Sequence, residues 1–503
     1  MLISKNLDEN IAILDEIFKD CGDVVARKIP FAQEKNIYFY ITYIDMLTDR
    51  ELIETQIINR LMHKINLDKL HKNDIENLFE EFTNYAMTTA EIKQTDQIEQ
   101  VTSEIMAGNT ILLIDGFNKA LIVSTKQFPN RGVQSTQIES VVYGAKDSFT
   151  EGMRHNTSLI RRRIRDTNLK VKQIKLGKRS QTDIALMYIQ DIVRPTILDE
   201  TLKRLKQIDI DAILDIGYIQ QFIDSRWKSV FAQSQLTERP DKAASAILEG
   251  RIVIIADNSP FVLIVPATLS TFFQSSEDYY EKWQIMSSLR ILRYICAIIS
   301  ISMPGLFIAL TLYHPSMIPI KLVLKLANER NNIPFPSVFE IIIMELAFEL
   351  LREAGIRLPN PIGSTIGIVG GIIIGQSAVE AGLVSPITII IVAITAMSSF
   401  AIPNENFVSA LRLIKYMVII FSALLGLYGF WIAILIILIH LASLKSFGIP
   451  YLYPIVSGEV NNFNDMEDTF FRAPIFKMKN RPIFANKMQV RRQGENKNVR
   501  MQQ

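Results

Sequence analysis

The 503-residue chain carries 54 Lys+Arg against 52 Asp+Glu, a formal charge of +2, with 49% hydrophobic and 21% charged residues. A chain this apolar and this evenly balanced is not intrinsically disordered as a whole, and it lacks the basic excess that a global match to nucleic acid requires. Its two cysteines, Cys21 and Cys296, lie far apart and build neither a disulfide framework nor a cysteine-rich metal site.

The first segment, MLISKNLDENIAILDEIFKD, places acids where an export signal has bases and contains no long apolar core. Ile11, Leu14, Ile17 and Phe18 instead mark one face of an amphipathic helix, so the large first half is expected to stay cytoplasmic. Two stretches of that half then resemble each other. Gly108–Thr125 and Gly250–Thr268 each read Gly, apolar run, Asp at the seventh following position, turn and second apolar run, which predicts a β-hairpin twice. The second echo pairs the segment from Tyr38 with the segment from Asp183, each an apolar strand passing into a helix. The offsets are close, 250 − 108 = 142 and 188 − 43 = 145. Together they predict two tandem α/β subdomains of related design, residues 1–140 and 141–282.

No catalytic constellation stands out in this half. Gly177-Lys178-Arg179-Ser180 resembles the end of a phosphate-binding loop, but Lys172 occupies the position of the required earlier glycine. The five histidines form no HExxH-type pair. Arg161, Arg162, Arg163, Arg165, Lys170, Lys172, Lys175, Lys178 and Arg179 make the strongest charge run. It reads either as a solvated face or as contact with a subunit, a headgroup or nucleic acid.

Charge then thins abruptly. Tyr294–Ile320 and Tyr416–Leu444 contain no Asp, Glu, Lys or Arg, and Leu358–Asn404 contains only Glu380. A helical membrane span needs about 20 mostly apolar residues. Ile291–Tyr313, Pro361–Ala381, Leu383–Pro403 and Leu411–Leu444 are the four candidates within a helical domain over residues 283–450. The last is long enough to be one tilted helix or a pair broken near Gly426 and Gly429. Between the first and second candidates, Glu345, Glu349 and Glu353 recur every fourth residue and form one helical stripe. That stripe reads as a cation path or as the wet face of an interfacial helix. Gly363, Gly367, Gly371 and Gly375 share one face at spacing four, a helix-packing signal or a pore lining, with Glu380 as the acid that follows. Residues 451–503 form a basic tail. After Phe471 it carries eight further bases beyond Arg472 against Glu495 alone, which places it on the cytoplasmic side and near anionic headgroups. Both ends inside imply an even number of crossings.

Several of these stretches resemble the A subunits of GerA-type spore germinant receptors. They are DGFNKALIVST; DSFTEGMRHNTSLIRRRIRDTNLKVKQIKLGKRSQTDIALMYI; the run from Pro334 to Pro386 with its acidic and glycine stripes; and LASLKSFGIPYLYPI at the exit. Phe149, Thr150, Glu151, Arg161, Arg162 and Arg163 carry the family signature. Tyr143, Ala145, Lys146, Asp147 and Ser148 depart from the commoner family pattern. The resemblance implies a non-enzymatic protein without cofactor or metal, integral to the spore inner membrane, with its N-terminal half and tail cytoplasmic. It further implies partnership with a transporter-like B subunit and a lipoprotein C subunit, no nucleic-acid partner, and homo-oligomerisation into a nutrient-gated cation channel that triggers germination. An accessory A-subunit-like paralogue beside the dipicolinate-release channel, and a secondary transporter, are the alternative readings.

Overall fold

The structure is a computed structural model; it describes residues 1–30, 38–59, 92–127, 136, 139, 141–330, 333–357, 370–371, 375–456, 466 and 468–494. The chain divides into two compact units. One comprises Met1–Asp224, Ser234–Pro266 and Lys479–Gln503, and the other Ser225–Gln233 and Ala267–Met478.

The first unit contains two five-stranded antiparallel sheets with one shared plan. Strands β1 (Val24–Pro30), β2 (Tyr38–Ile44), β3 (Ile92–Thr95), β4 (Thr110–Ile114) and β5 (Ala120–Val123) lie in the order β1-β2-β4-β5-β3. Strands β6 (Leu169–Leu176), β7 (Thr182–Ile189), β8 (Gln235–Thr237), β9 (Ile252–Ala256) and β10 (Val262–Val265) repeat it as β6-β7-β9-β10-β8. The two sequence echoes meet inside each sheet: Tyr40 pairs with Leu113, and Ala185 with Ile255. The two members of each pair are related by 185 − 40 = 145 and 255 − 113 = 142, the offsets of the two echoes.

Helices cover the sheets, which explains the unbroken apolar runs of β4 and β9, buried at every position. On the first sheet, Tyr40, Ile44, Ile111 and Leu113 face helices α1 (Leu7–Ile17) and α2 (Ile98–Met106). Phe39, Ile41, Leu112 and Ile114 face the opposite way, toward Ile53 and Ile57. The alternation follows from the two-residue period of a strand. On the second sheet, α3 (Met153–Arg161) and α6 (Pro240–Leu248) share a core with β6, β7, β9 and β10, while α4 (Pro195–Lys206) and α5 (Ile216–Ile223) lie between in sequence.

The repeated aspartates have a structural task. Asp115 Oδ1 accepts from the Leu7 N–H (3.4 Å) at the start of α1, and Asp257 Oδ1 accepts from the Met153 N–H (3.0 Å) at the start of α3. Each carboxylate satisfies an amide that the first helical turn leaves without a partner. The residue after each aspartate, Gly116 or Asn258, takes a positive φ of 86° or 66° to close the hairpin. The two subdomains are joined by a buried ion pair: Arg161 Nε and Nη2 donate to the two oxygens of Asp23 at 2.7 and 3.0 Å.

The second unit is helical. Helix α7 (Leu269–Phe273) leads to α8 (Trp283–Tyr313), α9 (Ile320–Arg330), α10 (Ser337–Arg357), α11 (Pro386–Phe400) and α12 (Glu405–Ser443). Two of these, α8 with 31 residues and α12 with 39, are long and apolar enough to cross a membrane. The first candidate span thus begins earlier than its apolar run, at Trp283. Leu383–Pro403 contains a helix of only 15 residues, started by the Ser385 cap and Pro386 and ended before Pro403. At 1.5 Å per residue it spans about 22 Å, less than a hydrocarbon core of roughly 30 Å. Pro361–Ala381 lies largely outside the described residues, as do Gly363 and Gly367; residues 370–371 and 375–380 are helical.

Helix α12 breaks at Gly426, where φ is 60° and ψ is −137°. The Tyr313 ring occupies the space beside this glycine: an added Cβ would lie 2.8 Å from Tyr313 Cγ. The Tyr313 hydroxyl donates to the Ala423 carbonyl (2.6 Å), one of the acceptors that the interruption releases. About two turns before the end of α8, Gly305 lets that helix approach α12, since an added Cβ would meet Val418 at 2.8 Å and Ser422 at 2.9 Å. The exit motif SFGIP closes the tight hairpin β11 (Lys445–Ser446) and β12 (Ile449–Pro450), with Phe447 and Gly448 at φ 47° and 85°.

Candidate functional site

The acidic stripe of α10 is brought against bases that stand alone in apolar sequence. Glu345, 3% exposed, accepts through Oε2 from the Nζ of Lys415, itself 4% exposed on α12. Glu349 receives Arg352 of its own helix and lies 3.8 Å from Arg412 Nη1. Arg412 and Arg352 both reach Glu405, at 2.5 and 4.0 Å. Three carboxylates thus meet three cations, and the cluster is formally neutral. Neutrality matters because a solitary charge removed from water costs several kcal/mol, whereas a well-paired one recovers much of that cost.

Ser300 of α8 and Thr395 and Ser399 of α11 join these side chains around a cavity of about 40 Å³. All three hydroxyls donate to carbonyls of their own helices, at 2.9, 2.8 and 2.7 Å. Their oxygen lone pairs remain as acceptors. Glu345 Oε1, buried with no partner among the described residues, is another. With these polar groups on part of a wall that also includes Phe348 and Phe400, a space of this size has room for a water.

Glu340, one turn before Glu345, has a different task. Fully buried, it accepts from the Ser385 N–H (2.9 Å) and the Thr388 hydroxyl (3.0 Å), anchoring the start of α11. The other stripe members diverge. Glu353 is exposed, and so is Glu380, whose Oε1 accepts from Gln376 at 2.8 Å. Gly371 has open space where a Cβ would lie, and Gly375 has Ile389 at 3.8 Å.

The signature residues of the first unit are distributed among structural tasks. Phe149 is buried in the core of the second sheet, the Thr150 N–H donates to Asn156 (2.7 Å), and the Glu151 carbonyl accepts from the Asn258 N–H (2.7 Å). The basic run does not form one face: Arg161 is buried against Asp23, Arg162 is exposed and Arg163 pairs with Asp147 at 2.6 Å. Burial acts to lower the pKa of Arg161, but adjacent Asp23 outweighs it and holds the guanidinium above its ordinary value. Burial raises the pKa of the nearby Cys21 thiol. At the Gly177 turn, the amides of Lys178, Arg179 and Ser180 donate to the Ile210 and Asp211 carbonyls, so they are not presented to a phosphate.

A second buried charge group lies at the start of α8. Arg290 bonds Asp278 (3.0 Å) and Asp468 (2.7 Å), and Arg293 meets Asp278 at 2.8 Å. Burial pushes the Asp468 carboxyl above the usual range, against the pull of Arg290. Sequence reading did not single out Lys415, Arg412, Glu340 or Arg290. The available signal was the rule that an ionisable group inside an apolar run must find a partner.

A duplicated α/β unit followed by a unit with two helices long and apolar enough to cross a membrane, and with a buried charge cluster, defines a two-part protein. A family model described as Bacillus/Clostridium GerA spore germination protein matches residues 12–484. The chain belongs to that family. It is 40% identical to spore germination protein KA of Bacillus subtilis over 98% of this chain and 89% of that one. It is 37% identical to spore germination protein B1 of the same organism (96% and 98%), and 36% identical to GerLA of Bacillus cereus (88% and 88%). Among solved structures, the crystal structure of the N-terminal domain of the A subunit of the Bacillus megaterium spore germinant receptor GerK3 matches at 31% identity. It covers 54% of this chain and 98% of that chain, with a TM-score of 0.42.

Proposed function

We propose that this spore germination A subunit is the channel-forming, non-enzymatic part of a nutrient receptor. It oligomerises in the spore inner membrane beside a transporter-like B subunit and a lipoprotein C subunit, with its first half and basic tail in the cytoplasm. The observation that carries this reading is the neutral cluster of Glu345, Glu349 and Glu405 with Lys415, Arg352 and Arg412 between apolar helices. Buried ion pairs are a weak source of stability but a good two-state element, since their partners are exchanged or kept. In the described arrangement each acid is matched by a cation, so a passing cation meets no net attraction. A nutrient-driven shift of α10 against α12 that separates Glu345 from Lys415 creates the acid-lined path.

The test is made in spores of a strain lacking the gene, complemented with Glu345→Gln or Glu349→Gln. Monovalent-cation release is followed after addition of the nutrient mixture that triggers the parent spores, with receptor level checked by immunoblot. Altered release kinetics at normal receptor level are expected. Unchanged kinetics in both variants refute the carboxylate path.

A further inference from the structure

Segment Ser225–Gln233, sequence SRWKSVFAQ, belongs to the helical unit although it precedes the first long helix by some fifty residues. It is fastened to the C-terminal end of α12. Arg226 Nη1 donates to Ser443 Oγ (2.8 Å), Ser225 Oγ donates to the Lys445 carbonyl (3.3 Å), and Ser229 Oγ and His440 Nε2 are 2.9 Å apart. Phe231 is buried, with its ring 6.1 Å from that of His440.

The fastened loop nevertheless leaves its largest side chain outside: Trp227 is 81% exposed. The ring has the Lys228 ammonium over it, 5.2 Å from its centroid, and the rest of its surface is open to an occupant. Two observations identify it. First, after the break at Gly426, exposed apolar side chains recur at helical spacing along α12 at Tyr428, Trp431, Leu435 and Ile439, and that surface ends where the loop is attached. Second, the loop and the segment from His440 to Pro450 contain Arg226, Lys228 and Lys445 and no acid. Tryptophan flanked by cations at the end of an apolar helix is the pattern of a bilayer interface. There the ring lies at the headgroup boundary and the cations meet lipid phosphates.

We propose that Ser225–Gln233 is an interfacial anchor, with Trp227 seated at the headgroup–acyl boundary of an anionic bilayer and Arg226, Lys228 and Lys445 at the phosphates. The anchor fixes the depth at which α12 leaves the membrane. It rests on the membrane reading of α12, so the experiment carries an internal control for that reading.

The full chain is reconstituted in vesicles containing phosphatidylglycerol, in two single-tryptophan forms. One retains Trp227 (Trp283→Phe, Trp431→Phe) and the other retains Trp431 (Trp227→Phe, Trp283→Phe). Quenching is measured with lipids brominated high or low on the acyl chain and with aqueous iodide. Trp227 is expected to lose about half of its emission to the shallow-bromine lipid, less to the deep one, and to resist iodide. Iodide quenching of Trp227 equal to that of free indole, with Trp431 shielded, overturns the anchor alone. Trp227 shielded from iodide and both bromolipids also overturns it, because protein then covers the ring. Iodide-accessible Trp431 refutes the membrane reading itself. Should the double substitutions reduce yield, the difference spectrum between the parent chain and Trp227→Phe supplies the same quantity.

Discussion

Breaking the Glu345–Lys415 pair tests whether the cluster holds α10 to α12. Both groups are buried, at 3% and 4% exposure, so removing one leaves the other without its charge partner and largely out of bulk water. Lys415→Met leaves a carboxylate among apolar helices; Glu345→Gln leaves an ammonium there. Removing one member of a buried pair costs roughly 3–5 kcal/mol. For a unit of roughly 200 residues, each kcal/mol shifts Tm by about 2–4 °C, so each single variant is expected to melt roughly 6–20 °C below the parent. The double variant carries no buried charge at these positions and is expected to recover most of the loss, the signature of direct coupling. The assay is thermal unfolding of the full chain in detergent or lipid discs, with α10 and α12 followed by hydrogen exchange. Single variants melting with the parent, or a double variant equal to the sum of the singles, refute the reasoning.

Three further outcomes are expected. Arg161→Ala strands the buried Asp23 carboxylate and should destabilise the first unit by roughly 3–5 kcal/mol, read by proteolysis in urea, with Asp23→Asn restoring part of it. Gly426→Ala meets a positive φ as well as the Tyr313 ring, and should cost at least about 1–3 kcal/mol, read as a lowered melting temperature of α12; an unchanged value contradicts the break at Gly426. Cys21 should resist iodoacetamide at pH 8 in the folded chain and react on unfolding. Because burial raises its folded pKa above the ordinary thiol value, the associated stability is complete below that ordinary value and is lost as pH climbs through the folded pKa, measured by urea unfolding across that range.

The duplication shows how much local pattern can specify. Gly, apolar run, Asp and turn dictate a hairpin wherever they occur, because turn geometry and the two-residue strand period are local properties. Recurrence at offsets of 142 and 145 therefore translated directly into two sheets of identical strand order. What those aspartates are for was not legible. Their acceptors face the first amides of α1 and α3, which are distant in sequence from both hairpins. Arg161 likewise sat in a run of bases, and only the fold shows its fork closed on Asp23, 138 residues away.

In the helical unit, composition determined the presence of long apolar helices and the acidic stripe, since length, hydropathy and 3.6-residue periodicity are properties of contiguous chain. It did not determine where the helices stop, because Ser385, Pro386 and the Gly426 break act through caps and backbone angles. Above all, it left Glu345 and Glu349 open as path or wet face. What tertiary structure decided is their pairing: Lys415 and Arg412 lie some sixty to seventy residues downstream, and the low polarity of packed helices gives those encounters their energetic weight.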